Sequence, residues 1–534
     1  MRYQKTFHMM VGLALSASLV ACGGGGSQGG SKLDPKDASG KSDRSGNAVS
    51  KKAMASYNQA LDAFAKEDAA GTWTDAKCKV VADQFEQASN AQRSDGGNQL
   101  PEALYDAGLA YQRCGNDEAA KAQFRKASDA DREFHRARAQ LALYSFKETG
   151  NIDSTVAELD QIIRDGKFQN VEGLVSLASL QMQRGGSTGG QGCTDDMSCA
   201  LLNLQRSLAI DDSFMPAFNQ LALYYLNQAR AEVGVKKGLV VASGKKKRVN
   251  KQRLDLAALV ASQAQRKNPN YAPIHNTSGL ILVELENYNG AVKSFKRAVQ
   301  LNPKFFEAQM NYAAVNLSFR GYGEAEKAYR AALQLRPNTY EAHLGLALAL
   351  RGGISDANFK KNLADAQAHL NEAKKLEPER PEAYYNEAIL AQEYVAKRAP
   401  SEEATKAEYS KASAQYDSFV SRANGRDGFD EAVKRSKERI QDISDTLKFM
   451  DESKRMAEED ARMQVEMKAQ EEAAKKAEAD AKKAEEDAKK ADEAKKAEEA
   501  KKAEEAKKAA PASGTPPAAT PPAAAPPAAT PPKK

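Results

Sequence analysis

Few residues in this chain could do chemistry, and their spacing narrows what that chemistry is. Five cysteines occur, at positions 22, 78, 114, 193 and 199, and there are five histidines. His8 lies close to the N-terminus. His135, His275, His343 and His369 are scattered, without the His-Glu-x-x-His spacing that puts two ligands on one helix face. Cys193 and Cys199 are spaced more widely than the tight cysteine pairs of structural zinc sites. No metal site and no cofactor are therefore expected. Serine and carboxylates are plentiful, but no Gly-x-Ser-x-Gly elbow and no paired-carboxylate signature stands out. Without a nucleophile, base and orienting group in any recognisable order, the chain is expected not to be an enzyme. Cys78, Cys114, Cys193 and Cys199 form an even set, which in an exported chain points to disulfides; three pairings are possible.

Cys22 has a different context. Arg2 and Lys5 precede an apolar run from Met9 to Val20, and Leu19-Val20-Ala21-Cys22 is followed by four glycines. A basic start, a short apolar run and small residues before a cut read as a secretory signal over residues 1–21. The run is too short to span a bilayer comfortably. The Leu-Val-Ala-Cys stretch resembles the lipobox of bacterial lipoproteins. That resemblance implies a diacylated Cys22 thiol and cleavage before Cys22, and so a stable anchor of two or three acyl chains. No Asp follows Cys22, and by the enterobacterial sorting rule the resemblance implies the outer membrane, with the protein facing the periplasm. Residues 22–52 read as the lipidated cysteine and a Gly/Ser tether; about 28 flexible residues reach roughly 30 Å. The glycine run lacks the Gly-Lys-Ser/Thr of a phosphate-binding loop.

The elements that position these residues follow from length and period. The chain has 534 residues, 41% hydrophobic and 28% charged, with 78 basic and 72 acidic side chains and a net charge of +6. So mild a balance does not suggest a dedicated nucleic-acid binder. No stretch of about 18 apolar residues argues for a multi-pass membrane protein. Pro269, Pro303 and Pro337 recur every 34 residues. Before them, Gly279, Ala291, Phe295 and Ala298 recur as Ala313, Ala325, Tyr329 and Ala332, and Gly108, Tyr111, Ala120, Phe124 and Ala127 give the same pattern upstream. This pattern resembles the tetratricopeptide repeat (TPR). The resemblance implies an all-α solenoid of about nine helix-turn-helix units over residues 53–421, closed by a capping helix at 422–450.

Several site expectations follow from that resemblance. Cys78 before the second helix of one unit and Cys114 at the end of the first helix of the next fall on one edge, which favours Cys78–Cys114 with Cys193–Cys199. Insertions at 184–199 and 231–253 interrupt the intra-repeat turns. The second holds a possible hairpin, Leu239–Ala242 with Arg248–Asn250, and the basic cluster Lys245, Lys246, Lys247 and Arg248, suited to an anionic surface such as cell wall or lipid headgroups, or to a plain solvated loop. The resemblance also implies a concave face, lined by the first helices, that binds protein segments. Asn219, Asn276, Asn311 and Asn386 are placed near it by register, where amides could pair with a peptide backbone, with Tyr105, Met310 and Leu344 adding apolar contacts.

Residues 471–510 contain only Ala, Lys, Glu and Asp. Strong helix formers and closely spaced Glu–Lys pairs predict an extended single helix over 451–510; an alanine stripe is weak for a coiled coil. Residues 511–534 are Pro/Ala-rich and predict a disordered or polyproline tail. Lipobox, tether, repeats and tail together resemble the TPR lipoprotein of the myxobacterial adventurous gliding-motility machinery. That likeness implies partners among periplasmic and outer-membrane proteins, and no nucleic acid. The alternatives are a TPR lipoprotein of envelope assembly, as a secretin pilotin or barrel-insertion accessory, and an adaptor for peptidoglycan enzymes.

Overall fold

A computed structural model describes residues 48–70, 73–231 and 249–506. Cys22 and most of the tether, the hairpin at 239–242 with the basic cluster Lys245, Lys246, Lys247 and Arg248, and the tail 511–534 lie outside the described residues. Nineteen α-helices follow one another among those residues. They pack as consecutive pairs: α1 (Lys51–Ala70) with α2 (Asp75–Ser94), α3 (Pro101–Arg113) with α4 (Asp117–Ala130), and α5 (His135–Thr149) with α6 (Ile152–Asp165). Next come α7 (Val171–Arg184) with α8 (Asp196–Ile210), α9 (Met215–Ala231) with α10 (Lys251–Lys267), and α11 (Ala272–Glu284) with α12 (Tyr288–Leu301). The series ends with α13 (Phe306–Ser318) and α14 (Tyr322–Leu335), α15 (Tyr340–Gly352) and α16 (Phe359–Leu376), and α17 (Glu382–Leu390) and α18 (Glu402–Ala423), then α19 (Asp430–Ala506).

Local chemistry sets the boundaries. Asn116, Asn151, Asn170, Asn250 and Asn287 each accept a bond from the backbone N–H three residues on, satisfying a donor that has no partner inside its helix. Gly150 and Gly185 end α5 and α7 in the left-handed conformation, which costs glycine little. Inside a pair the helices approach closely where the side chain is absent. A Cβ on Gly108 would lie 2.6 Å from the Phe124 ring, and one on Gly279 would lie 2.4 Å from Phe295. Between pairs, Tyr329 packs under Gly345 of the next unit. The small residues and aromatics of the 34-residue pattern are thus two halves of one contact.

First helices of successive pairs also touch one another, as α9 does α11, α11 does α13, and α13 does α15. They form the inner layer; the second helices form the outer one.

Several boundaries differ from the sequence reading. Val49 is buried, and Gln92 pins residues 48–50 by accepting from the Ser50 N–H at 2.8 Å and donating to the Ala48 carbonyl at 2.8 Å. Residues 48–50 are therefore held in place, and helix starts at Lys51. Each insertion is shorter than read, because its C-terminal end is already helical: α8 starts at Asp196 under an Asp195–Ser198 capping box, and α10 at Lys251. After α17 the chain widens into a π turn at Ala391–Val395 and tightens into a 3-10 turn at Ala396–Arg398. No break at 450 separates a cap from the charged helix, for α19 is continuous.

The chain divides after Ser444 into two units. In the first, Val433 and Ile443 of α19 are buried, and Phe419, Ala423, Phe429 and Val433 form one apolar cluster. The second unit, from Asp445, is helical to Ala506 with nearly every described side chain exposed. Intrahelical pairs such as Lys475–Glu471 (2.6 Å) and Lys482–Glu478 (2.7 Å) lace its surface. No helix among the described residues is long and apolar enough to cross a membrane.

Candidate protein-binding surface

A repeated hydrogen bond ties the inner helices together. Taking the small residue of each first helix as reference, the side chain three places before it meets the side chain two places before the small residue of the next helix. Tyr57 donates to Asp106 at 2.6 Å, Thr277 donates to Asn219 at 2.7 Å, and Asn311 donates to Asn276 at 2.9 Å. Tyr105 and Gln140 make the same link. Burial, with the Asp106 carboxylate second, pushes the Tyr57 phenol well above its ordinary value and keeps it a donor. The link is absent where Met310 stands opposite Gly345, which has no side chain to offer.

The asparagines expected to hold a peptide are therefore engaged with their neighbours. Asn276 and Asn311 are buried and bonded to each other. Asn219 accepts from Thr277. Asn386 accepts from Arg351 at 2.9 Å and donates to the Glu382 carbonyl at 2.7 Å. Of the three apolar candidates, Tyr105 is buried, wedged between Phe124 and Phe134 under the Arg136 guanidinium. Leu344 is buried and Met310 is half-buried.

One residue after the small residue, several inner helices present a partly exposed apolar side chain, whereas Leu280 and Ala314 at that position are buried and Ser179 is polar. Leu61, Leu109, Leu143, Leu223 and Ile389 are half-buried, and Leu348 is 9% exposed. Sequence reasoning missed this line, although the alignment that found the small residues places an apolar residue next to most of them. It is an apolar strip above a hydrogen-bonded floor, suited to apolar side chains of a bound segment.

A second recurrence went unread. Six residues after each of four prolines, a polar side chain returns to the proline carbonyl: His275 to Pro269 at 2.8 Å, Gln309 to Pro303 at 2.9 Å, His343 to Pro337 at 2.9 Å and Tyr384 to Pro378 at 3.0 Å. Proline ends the preceding helix, and the polar side chain bonds the carbonyl exposed there. His343 also meets His369, Nδ1 to Nδ1, at 2.9 Å. Burial holds His275 and His369 below the ordinary histidine value; for His369 the His343 ring and the Arg330 guanidinium add to this. Among the described residues no group of three or more His, Cys, Asp or Glu side chains could hold a metal.

The disulfides are Cys78–Cys114, joining the first turn of α2 to the end of α3 with Cα atoms 6.4 Å apart, and Cys193–Cys199, closing the loop before α8 with Cα atoms 5.0 Å apart. Beside that loop, Asp196 is buried; it accepts two bonds from Arg184, at 2.7 and 2.6 Å, and one from the Gly186 N–H at 2.6 Å.

The tetratricopeptide repeat family model matches residues 101–134 and 272–305, which are α3–α4 and α11–α12. With the tandem pairing, the described residues of the first unit form an all-α TPR solenoid. Among similar solved structures is a thermophilic TPR protein of Thermus thermophilus. It is 24% identical, with 41% of this chain and 99% of that chain covered and a TM-score of 0.33. A tetratricopeptide repeat protein of Parabacteroides merdae is 15% identical, covering 57% and 98%, TM-score 0.32. The pilF structure of Pseudomonas aeruginosa is 16% identical, covering 47% and 96%, TM-score 0.34. No curated protein matches the chain.

Proposed function

We propose that this chain is a non-enzymatic scaffold, held at the outer membrane by acyl chains on Cys22, which gathers protein partners of an envelope machine along the inner face of its TPR solenoid. The single observation that carries the binding role is the half-exposed apolar line through Leu61, Leu109, Leu143, Leu223 and Ile389 beside the bonded pairs Thr277–Asn219 and Asn311–Asn276. A TPR fold is one that serves protein–protein interaction. The membrane anchor rests on Arg2, Lys5 and the Leu-Val-Ala-Cys stretch. The assignment to gliding motility rests on the likeness in domain order described above.

The test combines two variants. Leu223→Asp with Ile389→Asp places charge on the apolar line, and it is expected to abolish partner capture from detergent-solubilised envelope while the circular dichroism melt still shows a folded solenoid. Cys22→Ser is expected to release the protein from the outer-membrane fraction, because the acyl chains are the strong attachment in this reading. Normal capture by a folded Leu223/Ile389 variant would end the binding-face reading. Unchanged fractionation of the Cys22 variant would end the anchor.

A further inference from the structure

The second unit carries a feature that neither the inner face nor the anchor uses. Phe449, Met456, Met463 and Met467 of α19 are exposed at 67%, 52%, 52% and 68%. They are spaced by seven, seven and four residues, steps that return to one face of a helix. Counted in sevens, Phe449, Met456 and Met463 occupy one core position of a coiled-coil seam and Met467 the other. The other core positions hold Thr446, Ser453, Asp460 and Gln470, and the frame then continues through Ala474, Ala477, Ala481, Ala484, Ala488 and Ala491. Val465, 69% exposed, lies on the opposite face, but the other four stand in line, and such a line marks an interaction surface rather than scattered surface residues.

We propose that this seam, from Thr446 to Ala491, docks a single helix of a different protein, one that is apolar along its own seam and basic at its flanks.

Charge selects that occupant. The two positions bordering the seam hold no Lys or Arg from Glu452 to Asp492. Glu459, Glu466, Asp480 and Asp487 stand on one side; Glu478 and Glu485 stand on the other. The lysine pairs at 475–476, 482–483 and 489–490 fall on the opposite face. Glu478 and Glu485 each hold a lysine four residues on, at 2.7 and 2.8 Å, but both pairs are exposed, and such pairs exchange readily for a new partner. A second copy of this helix would set acidic borders against acidic borders in either orientation. Asp460 sharpens the point. It occupies a core position between Met456 and Met463, so in a parallel pair of identical helices the two Asp460 carboxylates would face each other across the seam. A single charged core position fixes both partner and register, and here it calls for Lys or Arg opposite.

The test uses the full chain and three synthetic helical peptides. The first has leucine along its seam, lysine at the flanks and a lysine opposite Asp460. The second has the same seam with glutamate flanks. The third is the first with its residues reordered so that no seam remains. The first peptide is expected to bind one to one, about ten-fold tighter or more than the other two. That binding should be lost in the variant with Phe449, Met456, Met463 and Met467 all changed to Gln, which keeps helix propensity and charge. Circular dichroism confirms that the variant remains helical. Equal binding of the reordered peptide would reduce the seam to general charge attraction and overturn the proposal. So would sedimentation showing a dimer that the Gln variant dissolves, since the occupant would then be a second copy. Seam-dependent binding to anionic lipid vesicles, without discrimination among the peptides, would assign the surface to a membrane instead.

Discussion

Asn311 donates a 2.9 Å hydrogen bond to Asn276 on the preceding inner helix, and both amides are buried. The same two register positions carry Thr277–Asn219 and Tyr57–Asp106. A side-chain link of this kind sets how one repeat sits on the next.

Removing one partner should cost more than removing both. Asn276→Ala leaves the Asn311 amide without its acceptor, and an unsatisfied buried polar group costs about 1–3 kcal/mol. Asn276→Ala with Asn311→Ala removes donor and acceptor together and should lie closer to the wild type. Denaturant unfolding of both singles and the double checks this; strictly additive losses would show that the bond contributes nothing.

The interior glycines separate by what they touch. Gly279→Ala puts a Cβ 2.4 Å from the Phe295 ring and should lower stability by about 1–3 kcal/mol. Gly323, early in α14, has nothing within 4 Å of its Cβ site, so Gly323→Ala should be neutral or stabilise by up to about 1 kcal/mol. Thermal melts of the two variants give the comparison.

The two disulfides should differ in weight. Cys78–Cys114 closes a loop with a sequence separation of 36 and Cys193–Cys199 one of 6. Loop-closure entropy grows with length, to about 3–4 kcal/mol for the longer loop. Cys78→Ser with Cys114→Ser should therefore destabilise the first two repeats more than Cys193→Ser with Cys199→Ser destabilises the loop before α8. Hydrogen exchange resolves the two regions, and non-reducing peptide mapping establishes the pairing in the purified protein.

Acid should weaken repeats six and eight. His275 and His369 have folded-state pKa values held below the ordinary one, so the unfolded chain takes up their protons first. Their contribution is full above about pH 6.5 and declines as the pH falls below that value. Gln309 makes in its own repeat the bond that His275 makes in the preceding one. His275→Gln should therefore keep the proline contact while flattening the pH dependence. Melting temperature against pH, for wild type, His275→Gln and His369→Gln, reads the effect; identical slopes would contradict it.

The solenoid was legible because its packing rule is local and repeated. A missing side chain at Gly108 or Gly279 and a ring at Phe124 or Phe295 must recur at fixed spacing for two helices to meet. The cysteine pairing followed once the repeats fixed an edge. The inner face was read less well. Register placed Asn276 and Asn311 on it, but whether their amides face a ligand or each other depends on the neighbouring helix, which one repeat's sequence does not specify. The same holds for Tyr105, whose ring goes inward because Phe134 and Arg136 of the next repeat enclose it. The continuity of α19 through residue 450 is hidden in the sequence because composition changes there while helix propensity does not.

Partners are expected to lie along the inner helices. Site-specific photo-crosslinking in intact cells tests this most directly, with a photoreactive phenylalanine analogue placed at Leu223 or Ile389 on the inner line, at exposed Lys296 on outer helix α12, and at Glu499 in the second unit. Discrete protein adducts are expected from positions 223 and 389 and none of the same identity from position 296. Adducts of one protein from position 296 or 499, with none from 223 or 389, would contradict this placement.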